Sequence, residues 1–106
     1  MAWMILLAAG LLEIVWAFTM KLSQGFTRPA LTAVTILTML ASFALLALSM
    51  KTLPLGTAYT VWTGIGAVGA FVVGVVVLGE PLTIGRVLAV ALIVAGLSVM
   101  KLSTSA

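Results

Sequence analysis

The stretch WMILLAAGLLEIVWAFTM, residues 3–20, is an apolar run that contains a single charged residue, Glu13. At about 1.5 Å per residue, an α-helix places Glu13 about 15 Å from Trp3, near the middle of a hydrocarbon core about 30 Å thick. An acidic side chain costs about 2.5–3.5 kcal/mol at the centre of a membrane helix. The sequence therefore predicts a membrane-spanning helix whose central carboxylate has a function.

The composition of the whole chain is that of an integral membrane protein. Of its 106 residues, 64% are hydrophobic and 7% are charged, whereas about 25% are charged in typical soluble proteins. The absence of His and Cys excludes imidazole catalysis, thiol chemistry, disulfides and the usual zinc sites. Two carboxylates, Glu13 and Glu80, are too few for a calcium or two-metal site in one chain. We therefore expect that the protein is not an enzyme and that it has no cofactor and no metal site.

Three further apolar runs follow the first, and short polar turns containing Pro29, Pro54 and Pro81 separate them. Each run is long enough to cross the hydrocarbon core as a helix. The third, residues 55–79, is longer than the core requires, so it must tilt, bend or extend beyond the membrane. We predict an all-α fold with one transmembrane domain over residues 1–106 and helices at residues 3–21, 30–50, 55–79 and 82–102.

The cationic side chains are divided almost evenly between the two sides of the membrane. With four spans, Lys51 and Lys101 lie on the side of the N-terminus, and Lys21, Arg28 and Arg86 lie on the other. The bias in Lys and Arg normally fixes orientation, so two against three permits insertion both ways up. A weakly biased chain that chooses one orientation is the alternative. The cations flank the apolar runs as membrane-edge anchors do, and we expect no nucleic-acid partner.

The helix face that carries Glu13 also carries Ala9, Gly10, Trp16 and Ala17, which are three or four residues away. The small residues leave space beside the carboxylate, and Trp16 places an aromatic ring one turn from it. A tryptophan in a membrane helix is often a packing or interface residue. Because Trp16 lies near mid-span on the Glu13 face, we assign it to the site.

The second run carries a stripe of hydroxyl groups at Thr35, Thr38, Ser42 and Ser49. Such groups often bond to carbonyls of their own helix or join neighbouring helices. Ser42 is closest to the middle of its run. It is therefore our candidate for orienting the Glu13 carboxylate.

The third run holds six of the ten glycines. Tyr59, Trp62, Gly66 and Gly69 fall on one helical stripe, which combines two aromatic rings with bare backbone. Glycines 64 and 66 form a candidate bend, because Gly weakens a helix by up to about 1 kcal/mol. Close helix packing through small residues is the other explanation, and both can hold.

The fourth run has Ala89 and Gly96 seven residues apart, a pattern typical of close helix packing, here between subunits. A single chain offers Glu13 no cationic partner, because every Lys and Arg lies at a membrane edge. An oligomer, a bound cation or a proton must satisfy the carboxylate. A proton and a cation exclude each other there, which is the physical basis of proton–cation exchange. Aromatic rings at Trp16, Tyr59 and Trp62 can face such a cation.

Two segments resemble the small multidrug resistance family of bacterial transporters: GLLEIVWA at residues 10–17 and PLGTAYTVWTGIG at residues 54–66. The resemblance covers essentially the whole chain. The guanidinium-exporter subtype is the more similar one, because of Lys21, the sequence GFTR at residues 25–28, Thr63 after Trp62, and Lys101. Met39 stands where the quaternary-ammonium subtype has tyrosine.

The resemblance implies an antiparallel homodimer with dual topology, in which two copies of Glu13 line one shared site that opens to alternate sides. It assigns five further site-lining positions: Gly10, Trp16, Ser42, Tyr59 and Trp62. Gly64 and Gly66 match the family's bend in the third helix. In the family's dimer motif of the fourth helix, Ala89 stands where glycine is expected at the start, whereas Gly96 matches the glycine at the end.

Together these inferences predict a proton-coupled antiporter in the bacterial inner membrane that exports guanidinium and small guanidinyl cations. A planar guanidinium suits the Glu13 pair, with Ser42 and Trp62 orienting the carboxylates and Tyr59 controlling opening. An exporter of hydrophobic quaternary ammonium compounds is the main alternative. An ion channel and a non-transporting membrane subunit are two further alternatives. Glu80 is expected to be a loop charge at a helix start.

Overall fold

Four α-helices make up the computed structural model, which describes residues 1–104. They are α1 (Ala2–Leu22), α2 (Pro29–Ser49), α3 (Leu55–Val76) and α4 (Ile84–Leu102), and no strand occurs in the described residues. All four are long and apolar enough to cross a membrane. Residues 105 and 106 of the predicted domain lie outside the described residues.

The turn between α3 and α4 is longer than the apolar pattern predicts. α3 ends at Val76 instead of residue 79, and α4 begins at Ile84 instead of residue 82. The backbone N–H of Glu80 donates to the Gly74 carbonyl at 2.9 Å, which turns the chain back against α3. Gly79 has a φ of 70°, a conformation that glycine adopts without steric cost. Thr83 then caps α4, its hydroxyl oxygen accepting from the Arg86 N–H at 3.2 Å.

The turn between α1 and α2 is held by Ser23, which is fully buried. Its hydroxyl donates to the Met20 carbonyl at 2.7 Å and accepts from the Phe26 N–H at 3.1 Å. Gln24, Gly25 and Phe26 all have positive φ values, so the chain reverses within a few residues. Pro29 then opens α2, as its fixed φ and missing N–H favour at a first helical position.

The helices form a thin layer in which α1 packs against both α2 and α3. Within residues 1–104, the backbone of α4 packs against α3, its Lys101 side chain reaches Trp3 of α1, and none of its own residues is buried. The molecule measures 42 × 34 × 16 Å, and its thin dimension is less than two helix diameters. The small core lies between the first three helices and comprises Leu6, Ala9, Leu46, Leu53, Ala58, Val61 and Trp62. Most of α4 therefore has no partner within a single chain.

Candidate functional site

Glu13 lies in the middle of α1, and its carboxylate packs against the backbone of α3 at Gly66. A Cβ at Gly66 would overlap the Glu13 side chain, so only glycine leaves room for the carboxylate there. Its Oε1 atom is buried and has no hydrogen-bond partner among residues 1–104. A buried polar atom without a partner is uncommon in proteins and calls for a functional explanation.

Trp16 lies one turn from Glu13 on the same face of α1, as the sequence predicts. Its indole Nε1 is also buried and has no hydrogen-bond partner in the described part of the chain. An unpaired acceptor and an unpaired donor therefore lie on the same face of one helix. A ligand with both polar character and a flat apolar face would complement this pair.

Ser42 and Trp62 form a hydrogen-bonded link between three helices. The Ser42 hydroxyl donates to the Ala9 carbonyl of α1 at 2.6 Å and accepts from the Trp62 Nε1–H of α3 at 3.0 Å. From the sequence, both side chains are predicted to orient the Glu13 carboxylate. In this structure they bond to each other and to Ala9 instead, because a serine hydroxyl has only one proton to donate.

An interhelical row of aromatic rings begins at Trp16, one turn from Glu13 on α1. Trp16 and Phe43 have centroids 6.3 Å apart, Phe43 and Trp62 are 5.8 Å apart, and Trp62 and Tyr59 are 5.6 Å apart. Phe43, which connects the two tryptophans, is not among the site residues predicted from the sequence. Phe43 is the only aromatic residue in its apolar run and follows Ser42 directly. Its position next to Ser42, near the middle of the run, is the sequence feature that could have assigned Phe43 to the site.

Tyr59 ends this row on an open flank of the molecule, with 53% of its surface exposed. It lines a groove of about 600 Å³ between α3 and α4, together with Thr60, Thr63 and Gly96. The sequence-predicted site residue Tyr59 and the predicted packing residue Gly96 therefore share one surface. Ala89 is exposed on α4, and an added Cβ at Gly96 would meet open space.

The glycines of the predicted site act as points of close approach. A Cβ on Gly10 would lie 2.6 Å from Ile65 Cγ2, and a Cβ on Gly64 would lie 2.5 Å from Leu97 Cδ2. Gly10 thus brings α1 against α3, and Gly64 brings α3 against α4. α3 continues as a helix through Gly64 and Gly66. A hinge at these two glycines stays a prediction.

Glu80, the other carboxylate of the sequence, has a cationic partner. Its Oε1 accepts from Arg86 Nη2 at 3.0 Å, and Arg86 Nη1 donates to the Pro81 carbonyl at 2.6 Å. The Arg86 guanidinium also lies 5.2 Å from the centroid of the Phe71 ring. Eight residues of α3, about 12 Å, separate Gly74 beside Glu80 from Gly66 beside Glu13. The two carboxylates therefore lie in different environments.

These features define a four-span membrane protein with a carboxylate at the centre of its spans. The sequence model of the Small Multidrug Resistance protein family matches residues 1–93. The chain belongs to this family, and it is a multi-pass protein of the bacterial inner membrane. The resemblance drawn from residues 10–17 and 54–66 is thereby confirmed.

Several relatives carry the name guanidinium exporter. The one from Citrobacter freundii is 54% identical over 104 residues, which cover 98% of this chain and 99% of the relative. The one from Yersinia pseudotuberculosis serotype I (strain IP32953) is 52% identical over 104 residues, which cover 98% and 100%. The one from Salmonella typhimurium is 54% identical over the same length, which covers 98% and 99%. These relatives are named as transporters.

Proposed function

We propose that this protein is a proton-coupled antiporter that exports guanidinium and small guanidinyl cations. One observation carries the proposal: Glu13 Oε1 is buried near mid-span without a hydrogen-bond partner among the described residues. Binding either a proton or a cation relieves the cost of an unpaired charge there. Because one carboxylate cannot hold both at once, occupation by one displaces the other. That competition couples proton entry to substrate exit.

Guanidinium fits the carboxylate acceptor of Glu13 and the aromatic faces at this site. Its planar N–H groups form parallel hydrogen bonds with a carboxylate, and its flat face stacks on aromatic rings such as Trp16. The chain contains the same chemistry in Arg86, whose guanidinium bonds to Glu80 and lies over Phe71. The relatives named guanidinium exporter support the same substrate class.

The transporting unit that we propose is an antiparallel homodimer of two oppositely inserted chains. A single chain is only 16 Å thick in one direction and leaves α4 without buried residues in its described part. The exposed Ala89 and Gly96 permit close approach of a second α4. The balance of cationic side chains, two against three, permits both orientations. A second copy would bring a second Glu13 to the site.

Transport then requires that the dimer open to each side of the membrane in turn. Gly64 and Gly66 are the proposed hinge of α3, and Tyr59 lies at the exposed end of the aromatic row, where opening would be controlled. Ligand binding only shifts populations between such states. The inward proton gradient supplies the driving force for export.

Export of quaternary ammonium compounds is the second candidate. The row of Trp16, Phe43, Trp62 and Tyr59 favours it, because aromatic faces attract cations that have no N–H donors. The two substrates differ in what they require from the binding site. Guanidinium needs the carboxylate as a hydrogen-bond acceptor, whereas a quaternary ammonium ion needs only charge and ring faces.

Transport into proteoliposomes that carry an outward proton gradient separates the two candidates. We expect uptake of guanidinium against its concentration gradient and little uptake of tetrapropylammonium, with protein-free liposomes as the control. An ionophore that collapses the proton gradient should stop accumulation. Uptake of tetrapropylammonium alone would assign the protein to the second candidate. Guanidinium accumulation that survives the ionophore would refute proton coupling.

A further inference from the structure

A groove between α1 and α4 is not used by the proposed transport mechanism. Its volume is about 580 Å³, and α3 forms its floor through Val61 and Ile65. One wall is formed by Trp3, Met4 and Leu7 of α1. The opposite wall is formed by Leu97, Ser98, Lys101 and Leu102 of α4. The groove is apolar along most of its length, and its charged residue, Lys101, lies near the end of α4.

The groove reaches from one membrane edge to about the middle of the bilayer. Leu97 lies five residues before Leu102, about 7.5 Å deeper along α4. Ile65 lies ten residues, about 15 Å, from the first residue of α3, which begins on the same side. Half of a hydrocarbon core about 30 Å thick has the depth of Ile65, whereas the α1 and α4 walls extend about half as far. The groove therefore accommodates the part of an acyl chain nearest the headgroup between its walls, and the floor continues toward the middle of the bilayer.

Lys101 gives the outer end of this groove a positive charge that no carboxylate side chain offsets. Of the two acidic residues in the sequence, Glu80 is paired with Arg86 at 3.0 Å, and Glu13 lies about ten residues, or 15 Å, along α1 from Trp3. Lys101 Nζ lies 5.1 Å from the centroid of the Trp3 ring. A cation beside an amphipathic aromatic ring at the membrane edge suits a lipid headgroup.

The proposed dimer partner would not cover this groove. Ser98 follows Gly96 by two residues, which places it about 200° around α4 from the proposed packing position. Gly96 lines the groove beside Tyr59, whereas Ser98 and Lys101 line the groove beside Trp3. A second α4 at Gly96 therefore leaves the α1–α4 groove open to lipid.

We propose that the α1–α4 groove binds an anionic phospholipid, with an acyl chain along Leu7, Ile65 and Leu97 and the headgroup phosphate at Lys101. The apolar walls account for the acyl chain, and the Lys101 charge accounts for the choice of an anionic headgroup. The site needs no proton gradient and no exported cation, so it is independent of the proposed transport function.

Native mass spectrometry of the purified full-length protein, titrated with phosphatidylglycerol or with phosphatidylcholine of the same acyl chains, tests this proposal. We expect phosphatidylglycerol to bind more tightly. Lys101→Gln should weaken its binding by about fivefold, the effect of one surface cation, and should leave phosphatidylcholine unaffected. Lys51→Gln is the matched control, because it removes a cation from the same side of the membrane outside the groove. Leu7→Trp, which fills the groove, should weaken the binding of both lipids.

Photocrosslinking checks the position of the bound chain. A phosphatidylglycerol with a diazirine in its acyl chain should label peptides containing Met4 or Leu97, and Leu7→Trp should reduce that labelling. Equal binding of the two lipids would overturn the proposal. Equal losses in Lys101→Gln and Lys51→Gln would indicate diffuse charge attraction and would overturn it too. Labelling that Leu7→Trp leaves unchanged would exclude this groove.

Discussion

At the scale of single residues, the two glutamates show how surroundings separate two identical side chains. Glu80 lies in the turn between α3 and α4 and is bonded to Arg86 at 3.0 Å, so its charge has a partner within the chain. Glu13 lies near mid-span against the bare backbone of Gly66, and its buried oxygen has no partner in the described residues. The same functional group therefore has an ionic partner in one place and no partner in the described residues in the other, where we propose that it binds the ligand.

Gly66→Ala should impair substrate binding, because the added Cβ would occupy the space that the Glu13 carboxylate fills. Overpacking of this kind costs about 1–3 kcal/mol, so we expect guanidinium affinity to fall by about fivefold or more. Isothermal titration calorimetry in detergent measures this change. Gly56→Ala is the control in the same helix, because a Cβ there meets no atom within 4 Å. Unchanged affinity in Gly66→Ala would contradict the position assigned to the carboxylate.

At the scale of helices, the hydroxyl groups of α2 have different roles although they share one stripe. Ser42 is fully buried and joins α1 and α3 through Ala9 and Trp62. Thr35 is buried and pairs with Thr19 of α1 at 2.7 Å. Thr38 instead donates to the Val34 carbonyl of its own helix at 2.8 Å. Ser49 is fully buried as well, yet it donates to the Leu46 carbonyl of its own helix at 2.7 Å, so neither the spacing of the stripe nor burial alone decides which hydroxyls join helices.

Ser42→Ala should destabilise the packing of the first three helices. It leaves the buried Trp62 N–H and the Ala9 carbonyl without their side-chain partner, which costs about 1–3 kcal/mol. Unfolding titrations with sodium dodecyl sulfate in mixed micelles measure the loss. Thr38→Ala is the matched control, since it removes a bond within one helix and should change stability by less than about 0.5 kcal/mol. Equal effects of both substitutions would contradict the proposed linking role of Ser42.

The sequence predicts the helices and the central carboxylate well, because both follow from one-dimensional rules. A span needs about 20 apolar residues, and a carboxylate within such a span is costly enough to be conspicuous. The end of α3 is not predictable in this way. It is set by the backbone hydrogen bond from the Glu80 N–H to the Gly74 carbonyl, and the pattern of apolar residues does not reveal such a turn contact. The bond between Ser42 and Trp62 and the place of Phe43 depend on how helices are rotated against each other, which apolar periodicity does not fix.

At the scale of the whole molecule, a single chain leaves grooves open on both flanks of α4. Tyr59 and Gly96 line one groove on the open flank of α3 and α4. The proposed partner chain would cover this groove and bring its own Glu13 to the shared binding site. The opposite flank, with Trp3 and Lys101, would stay in contact with lipid. In this proposal the two flanks of α4 have different partners, a second chain on one side and lipid on the other.

Gly96→Leu should weaken the dimer without unfolding the chain, because a larger side chain at this position meets open space within one protomer. Förster transfer between labelled chains in lipid bicelles measures the dimer fraction. Ala91→Leu is the control, since Ala91 is exposed on another face of α4 and lines a separate groove with Leu88. A dimer that tolerates leucine at position 96 as well as at position 91 would contradict the assigned interface.

The most direct test of the central claim is the guanidinium-evoked current in proteoliposomes, measured across a pH series. It compares the wild type with Glu13→Gln and Glu80→Gln, which remove one carboxylate each. If protons and substrate compete for Glu13, the apparent affinity of the wild type should weaken as the pH falls, by up to about tenfold per pH unit. Glu80→Gln should behave like the wild type, and Glu13→Gln should give no current. A pH-dependent guanidinium current in Glu13→Gln would contradict the proposed mechanism.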